Sequence, residues 1–511
     1  MTGMLALPLE VERREGLPGH RPAQPCTMVI LGATGDLTRR KLLPSLLHLA
    51  EDRLLPDGFA VLGVGRKDLS EQEFRAEAGL KNAAAGPKGL AGRISYLAAD
   101  LESPDGFQRI AQKLEEIEAR QGRERGRLFY LALPPSVYPA AIRGLSKSGA
   151  MPRREPDDRR WVRVVIEKPY GRSEASAREL TRIVRRALGE HQIYRIDHFL
   201  GKETVQNLQV FRFANGIFEP VWNRGYVHSV QITAAETGGV GSRAGYYEEA
   251  GVVRDMFQNH LLSLLALIAM EPPAAIGPEP VRDEKAKLLN AIRPIRPEEV
   301  AGSAVRGQYG PGASDRGRLA GYREESGVAP GSPTATYAAI RLWIDNWRWS
   351  GVPFLLRSGK RLARRTTEIA IRFHRPPVLL FDGAEPERPA PNVLVFRIQP
   401  DEGLSLCFEL KLPGPGIRTT SATLDFTYAS SFGIPSHDAY ETLLLDCMMG
   451  DPMLFLRSDA AEAAWRVVDP VIAAWEADPP RDFPNYPAGS WGPKAAETLF
   501  ARSAAGGCWR E

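Results

Sequence analysis

Apolar residues follow two rhythms along this chain. In the first part they come as short continuous runs: "TMVIL" (27–31), "FAVLGVG" (59–65), "ISYLA" (94–98), "RLFYLAL" (127–133) and "WVRVVIEKP" (161–169). Runs of this length suit strands buried on both faces. Between them lie segments with helical spacing, such as "LTRRKLLPSLLHLAEDRLL" and "DGFQRIAQKLEEIEARQ". Strands alternating with helices predict a parallel, doubly wound α/β sheet. After about residue 200 the rhythm changes. "VHSVQITAAE" (227–236), "EIAIRFHRPP" (368–377), "NVLVFRIQP" and "LSLCFELKL" read as strands of roughly period two. They come in runs, which predicts an α+β domain with a mostly antiparallel sheet. "GVVRDMFQNHLLSLLALIAM" (251–270) reads as one long helix, polar in its first half and apolar in its second. "YGPGASDRGRLAGYREESGVAPGSP" (309–333) and "EADPPRDFPNYPAGSWGP" read as surface loops. The organisation expected is a poorly ordered extension over 1–24, an α/β unit over 25–200 and an α+β unit over 201–511.

Size and charge narrow the classes of function. A chain of 511 residues is too long for one ordinary core. Its net charge of +4 is too small for a dedicated nucleic-acid binder. No run of about eighteen apolar residues exists, so no membrane partner is expected. The start, "MTGMLALPLEVERREG", has no basic-then-apolar pattern of a secretory signal. Cys26, Cys407, Cys447 and Cys508 lack metal-ligand spacing and read as reduced thiols. The expectation is a cytoplasmic protein without a bound metal.

The candidate chemistry begins at "GATGDL" (32–37), which follows a strand and opens a helix. Gly32 and Gly35 permit a tight turn and close approach to a pyrophosphate, which the helix N-terminus then faces. The second strand ends in "GVGRKD", with Arg66 at its tip. An NAD enzyme usually has Asp or Glu there, whereas Arg suits the 2′-phosphate of NADP. Further on come charged islands in apolar surroundings. "IEKPYGR" sets Lys168 at a strand end, and Pro169 after it admits a cis peptide. "RIDHFLGKE" supplies Asp197, His198 and Lys202. "RDMFQNH" supplies Asp255 and His260, five apart and thus about 140° apart around an α-helix. "GVPFLLRSGKRL" adds Lys360. A buried His beside a carboxylate is held in one tautomer and can take a proton from a hydroxyl. The islands together point to an anionic, hydroxyl-rich ligand.

These segments resemble the glucose-6-phosphate dehydrogenases. The likeness covers about residues 27–470, through "GATGDLTRRKLLPSL", "YLALPPSVY", "EKPYGR", "RIDHFLGKETVQN", "QITAAE", "RAGYYEEAGVVRDMFQNHLL", "DNWRWSGVPFLLRSGKRL" and "DAYETLLLDCMMGDPMLFLRSDAAEAAW". The resemblance implies an NADP-binding Rossmann domain and a larger α+β domain that joins copies into dimers or tetramers. It implies oxidation of C1 of glucose 6-phosphate to the 1,5-lactone, the entry step of the pentose phosphate pathway, with NADP as cofactor and NAD also admitted. By position it implies His260 as general base and Asp197 as the carboxylate that orients it. His198 and Lys202 match phosphate ligands. Lys168, Glu236, Asp255 and Lys360 match groups around the sugar. Gly32, Gly35 and Leu37 match the pyrophosphate turn, Arg66 the 2′-phosphate contact, and Tyr138 with Lys168 the nicotinamide half. One departure stands out. The family commonly has Tyr after the His of "RIDH", and this chain has Phe199. A hydrogen bond to a charged group contributes roughly 1.5–3 kcal/mol, so a weaker KM for the phosphorylated sugar is expected. Two other readings remain at this point: a Rossmann oxidoreductase for an unphosphorylated sugar, and a non-catalytic NADPH-binding regulator.

Overall fold

The computed structural model describes residues 23–510 apart from 80–88, 122–124, 156–159, 316, 379–389, 433–437 and 502–507. Most of the 1–24 extension, through residue 22, lies outside the described residues. The first sheet has six strands: β1 (Cys26–Leu31), β2 (Ala60–Gly65), β3 (Ile94–Ala98), β4 (Gly126–Leu131), β5 (Val162–Ile166) and β6 (Ile193–Arg195). Their order is β3-β2-β1-β4-β5-β6, and every pairing is parallel. The apolar runs make this sheet because β1 and β2 are buried along their whole length. The order reverses between β1 and β4, and ligands bind outside the carboxyl ends of strands at such a switch point.

The second sheet has eight strands, and its centre positions the rest of the site. β7 (Val227–Ala235) lies between Thr366–Phe373, which is antiparallel to it, and Phe354–Gly359, which is parallel to it. The remaining strands pair antiparallel, out to Thr419–Thr427 at one edge and Ala304–Gly307 at the other. Among the described residues no helix is long and apolar enough to cross a membrane.

Two expectations are corrected. Residues 251–270 are not one α-helix. Gly251 has φ 61°, Val253–Leu261 is a π-helix, and only Leu262–Ala269 is α. The i→i+5 bonding of a π-helix brings residues five apart close to one face, so the 140° separation of Asp255 and His260 does not hold. Residues 309–333 are not a plain surface loop. They carry short strands at Tyr309–Gly310, Gly312–Ser314 and Gly317–Leu319, and they bury Tyr309 and Tyr322 completely. Gly and Pro set the backbone there, while the tyrosine rings supply the packing that composition hides.

Candidate active site

β1 leads into the 32–37 turn, where Gly32 has φ +86° and a Cβ would stand 2.2 Å from the Ala132 carbonyl oxygen. Gly32 is therefore required twice, by its backbone angle and by the closeness of the β4 end. Gly35 is close-packed as well, since a Cβ there would lie 3.0 Å from the Gly32 oxygen. The helix that follows opens as a π turn over Thr38–Leu42, with half-buried Leu37 just before it. Arg66 is exposed directly after β2, and the residue beside it is Lys67, not an acid. Tyr138 is fully buried under the β5 end, 3.4 Å from the Glu167 carbonyl oxygen. A glycine cradle with an Arg at the neighbouring strand tip fits a dinucleotide carrying a 2′-phosphate. A cavity of about 250 Å³ opens past the ends of β4 and β5, lined in part by Pro134, Ser136, Pro169 and Tyr246.

β5 and β6 run parallel with Ile166 opposite Arg195, so Lys168 and Asp197 emerge at the same edge. Asp197 and His260 come together there. Asp197 Oδ1 lies 2.6 Å from His260 Nδ1, with the two residues 0% and 1% exposed. Burial favours the neutral acid, yet His260, His198 and the Phe199 N–H together hold the carboxyl down at about 2. An ionised carboxylate only accepts hydrogen bonds, so Nδ1 must carry a proton, and in the neutral imidazole Nε2 is then the acceptor. The Phe199 ring stacks on the imidazole at 4.2 Å and 22°. The residue lacking a hydroxyl is thus also the one that packs against the imidazole face.

Around this pair stand three charged groups. Lys168 Nζ donates to Asp255 Oδ1 at 2.9 Å and to its carbonyl oxygen at 3.0 Å. Burial disfavours both charges, but mutual attraction wins: the Lys168 ammonium is raised, and Asp255 is held well below the usual carboxylate range by Lys168, Arg243 and Lys360. Glu236 and Lys360 form an ion pair. They meet because β7 and Phe354–Gly359 are parallel with Ala235 opposite Gly359, so both side chains leave the sheet at one end. Lys202 donates to Gln399 Oε1 at 2.9 Å. Its ammonium is lowered by burial first; Glu402 and Asp438 oppose that, while Arg365 and Lys41 add to it. His198 is pushed well below the usual imidazole range by burial and then by His260, and Lys168 and Lys202 also act on it. Lys202, Arg365 and Lys41 thus gather positive charge in one region, where Asp438 pairs with Lys41 at 2.6 Å.

Some neighbours escaped the reading of the sequence. Tyr246 donates to Asp255 Oδ1 at 3.2 Å, and Arg243 lies 3.7 Å from the same oxygen. Both sit in "RAGYYEE", where the signal was present but unassigned. Tyr440 stacks parallel to His198, with ring centroids 6.3 Å apart, and its hydroxyl donates to Glu167 at 3.2 Å. Arg365 and Gln399 belong to no island that a linear scan picks out. Asp197, His198 and His260 place donor atoms within 4.8 Å of one another. A divalent ion bound by all three would compete with the Asp197–His260 hydrogen bond.

Comparison with known proteins agrees with this geometry. Residues 29–207 match the family model "Glucose-6-phosphate dehydrogenase, NAD binding domain", and residues 209–510 match "Glucose-6-phosphate dehydrogenase, C-terminal domain". The chain is 45% identical over 496 residues to a glucose-6-phosphate 1-dehydrogenase of Aggregatibacter actinomycetemcomitans, covering 96% of this chain and 98% of that one. It resembles a solved glucose-6-phosphate dehydrogenase in complex with its substrate glucose 6-phosphate, with a TM-score of 0.83, 32% identity, and 95% and 99% of the two chains covered. It also resembles the glucose-6-phosphate 1-dehydrogenase of Mycobacterium avium, with a TM-score of 0.76, 35% identity and the same coverage.

Proposed function

The chain belongs to the glucose-6-phosphate dehydrogenase family, and from that premise we propose how its residues carry the reaction. The activity is the NADP-dependent oxidation of glucose 6-phosphate at C1 to the 1,5-lactone. The observation that carries the residue-level reading is the buried contact between Asp197 and His260. The 32–37 turn and Arg66 would hold NADP, which would supply the acceptor for the hydride leaving C1. His260 Nε2 takes the proton of the C1 hydroxyl as the C1–O bond becomes a carbonyl. Asp197 remains ionised and stabilises the imidazolium that forms. Lys168, Asp255, Glu236 and Lys360 orient the sugar hydroxyls. His198 and Lys202 hold the phosphate, with Arg365 and Lys41 adding to the local positive field. Phe199 leaves the phosphate one hydroxyl short of the common family pattern.

Residues 25–200 then serve as the NADP-binding unit and 201–511 as the substrate and assembly unit, in a cytoplasmic protein of two or four copies. Assembly is supported by the outer strands of the second sheet, where Leu410 and Leu424 are exposed, as is Ile417 between them. Light scattering at micromolar concentration should report a dimer or tetramer, and a monomer would remove this part of the reading.

The purified chain should reduce NADP with glucose 6-phosphate, and His260→Asn should lower kcat about 10²–10⁴-fold with little change in KM. Survival of kcat in that variant would exclude His260 as the base. Lys202→Ala should raise KM for glucose 6-phosphate far more than for free glucose; equal changes would take Lys202 out of the phosphate site. Arg66→Ala should weaken NADP and spare NAD, and an unaltered coenzyme preference would end the role given to Arg66.

A further inference from the structure

One buried charge has no part in the scheme above. Lys285 lies on the helix Pro278–Ala291 and is 3% exposed. Its ammonium donates to the Met453 carbonyl oxygen at 3.0 Å. That segment backs the strand that leads to the carboxylate: Leu456 N–H donates to the Arg195 carbonyl at 3.1 Å, two residues before Asp197. On the other side, Asp197 Oδ2 is buried without a hydrogen-bond partner, since Oδ1 takes both His260 and the Phe199 N–H.

The charges of this layer can be paired off. Arg195 is matched by Glu190 at 2.6 Å, and Arg282 by Glu279 at 2.9 Å and Glu190 at 3.9 Å. Arg457 is matched by Asp283 at 2.6 Å, Asp459 at 2.8 Å and Glu279 at 3.1 Å. The arginines thus have their carboxylates, whereas the buried Lys285 ammonium is given only a carbonyl and the buried Asp197 Oδ2 has no hydrogen-bond partner. An isolated charge is costly inside a protein, and an opposite one nearby offsets that cost. We propose that Lys285 is the countercharge of Asp197 and, through Asp197, a positioning residue for the His260 base. It touches neither sugar nor coenzyme. It keeps the carboxylate ionised and oriented from the side that His260 does not reach.

The electrostatics run the same way. Burial and then Arg282 push the Lys285 ammonium down, to about 7; Asp197 opposes them and Arg457 adds to the fall. Coupling between two titrating groups is reciprocal, so a carboxylate that supports the ammonium is itself supported by it. The inference rests on the proposed role of His260, but its first test does not.

In the full-length protein, the Lys285 side chain is followed by NMR of ¹³C-labelled lysine, assigned with Lys285→Arg. In Asp197→Asn the Lys285 signal should titrate lower than in the parent, by about half a unit or more. An unmoved titration would overturn the proposal whatever the enzyme's kinetics. The second test is the pH profile of kcat/KM. Removing a cation near His260 makes the imidazole easier to protonate, so Lys285→Met should move the acid limb to higher pH, and Lys285→Arg should return it. A merely structural lysine would lower the melting temperature of the Met variant and leave the limb in place, and that result would also overturn the proposal. If the Met variant does not fold, the NMR titration decides, because it leaves Lys285 intact.

Discussion

A 2.6 Å hydrogen bond between a carboxylate and an imidazole, both sealed from solvent, is the constraint on which the rest of this structure turns. Neither partner could be buried alone without a large penalty, and each fixes the other's ionisation and orientation. The two come from different parts of the fold. Asp197 leaves the carboxyl end of β6, and His260 sits near the end of the π-helix Val253–Leu261. Holding them in register demands that the first sheet and the helix be packed as one body. The buried ring of Phe199, stacked on the imidazole, belongs to that packing.

The other charged groups are brought in by parallel strand pairs. β5 beside β6 sets Lys168 near Asp197, and β7 beside Phe354–Gly359 sets Glu236 against Lys360. In a parallel pair both chains leave the sheet at the same end, so residues just past the last pairing become neighbours. That is why residues 124 positions apart in sequence form an ion pair. The π-helix contributes in a similar way: by winding more loosely than an α-helix it turns Asp255 and His260 toward one cleft.

Much of the first sheet was legible because buried parallel strands are written as uninterrupted apolar runs. "ISYLA" matches its strand residue for residue. The π-helix was not legible, since periodicity alone assigns 3.6 residues per turn to any amphipathic segment. The 309–333 segment was misread because Gly and Pro dominate its composition, although Tyr309 and Tyr322 anchor it in the core. Of the site, the charged islands stood out as charges among apolar neighbours, and the family likeness supplied their roles. Gln399, Arg365 and Tyr440 join the site only through tertiary contact, and Lys285 lies outside the charged islands. No local pattern marks such residues.

The most direct test of the central contact is the protonation state of the His260 ring, read by ¹⁵N NMR in the resting enzyme at neutral pH. The account requires a proton on Nδ1, facing Asp197, and an Nε2 free to accept the proton of the sugar hydroxyl. A ring found with its proton on Nε2 and none on Nδ1 would contradict it, because such an imidazole could neither donate to Asp197 nor receive a proton from the sugar.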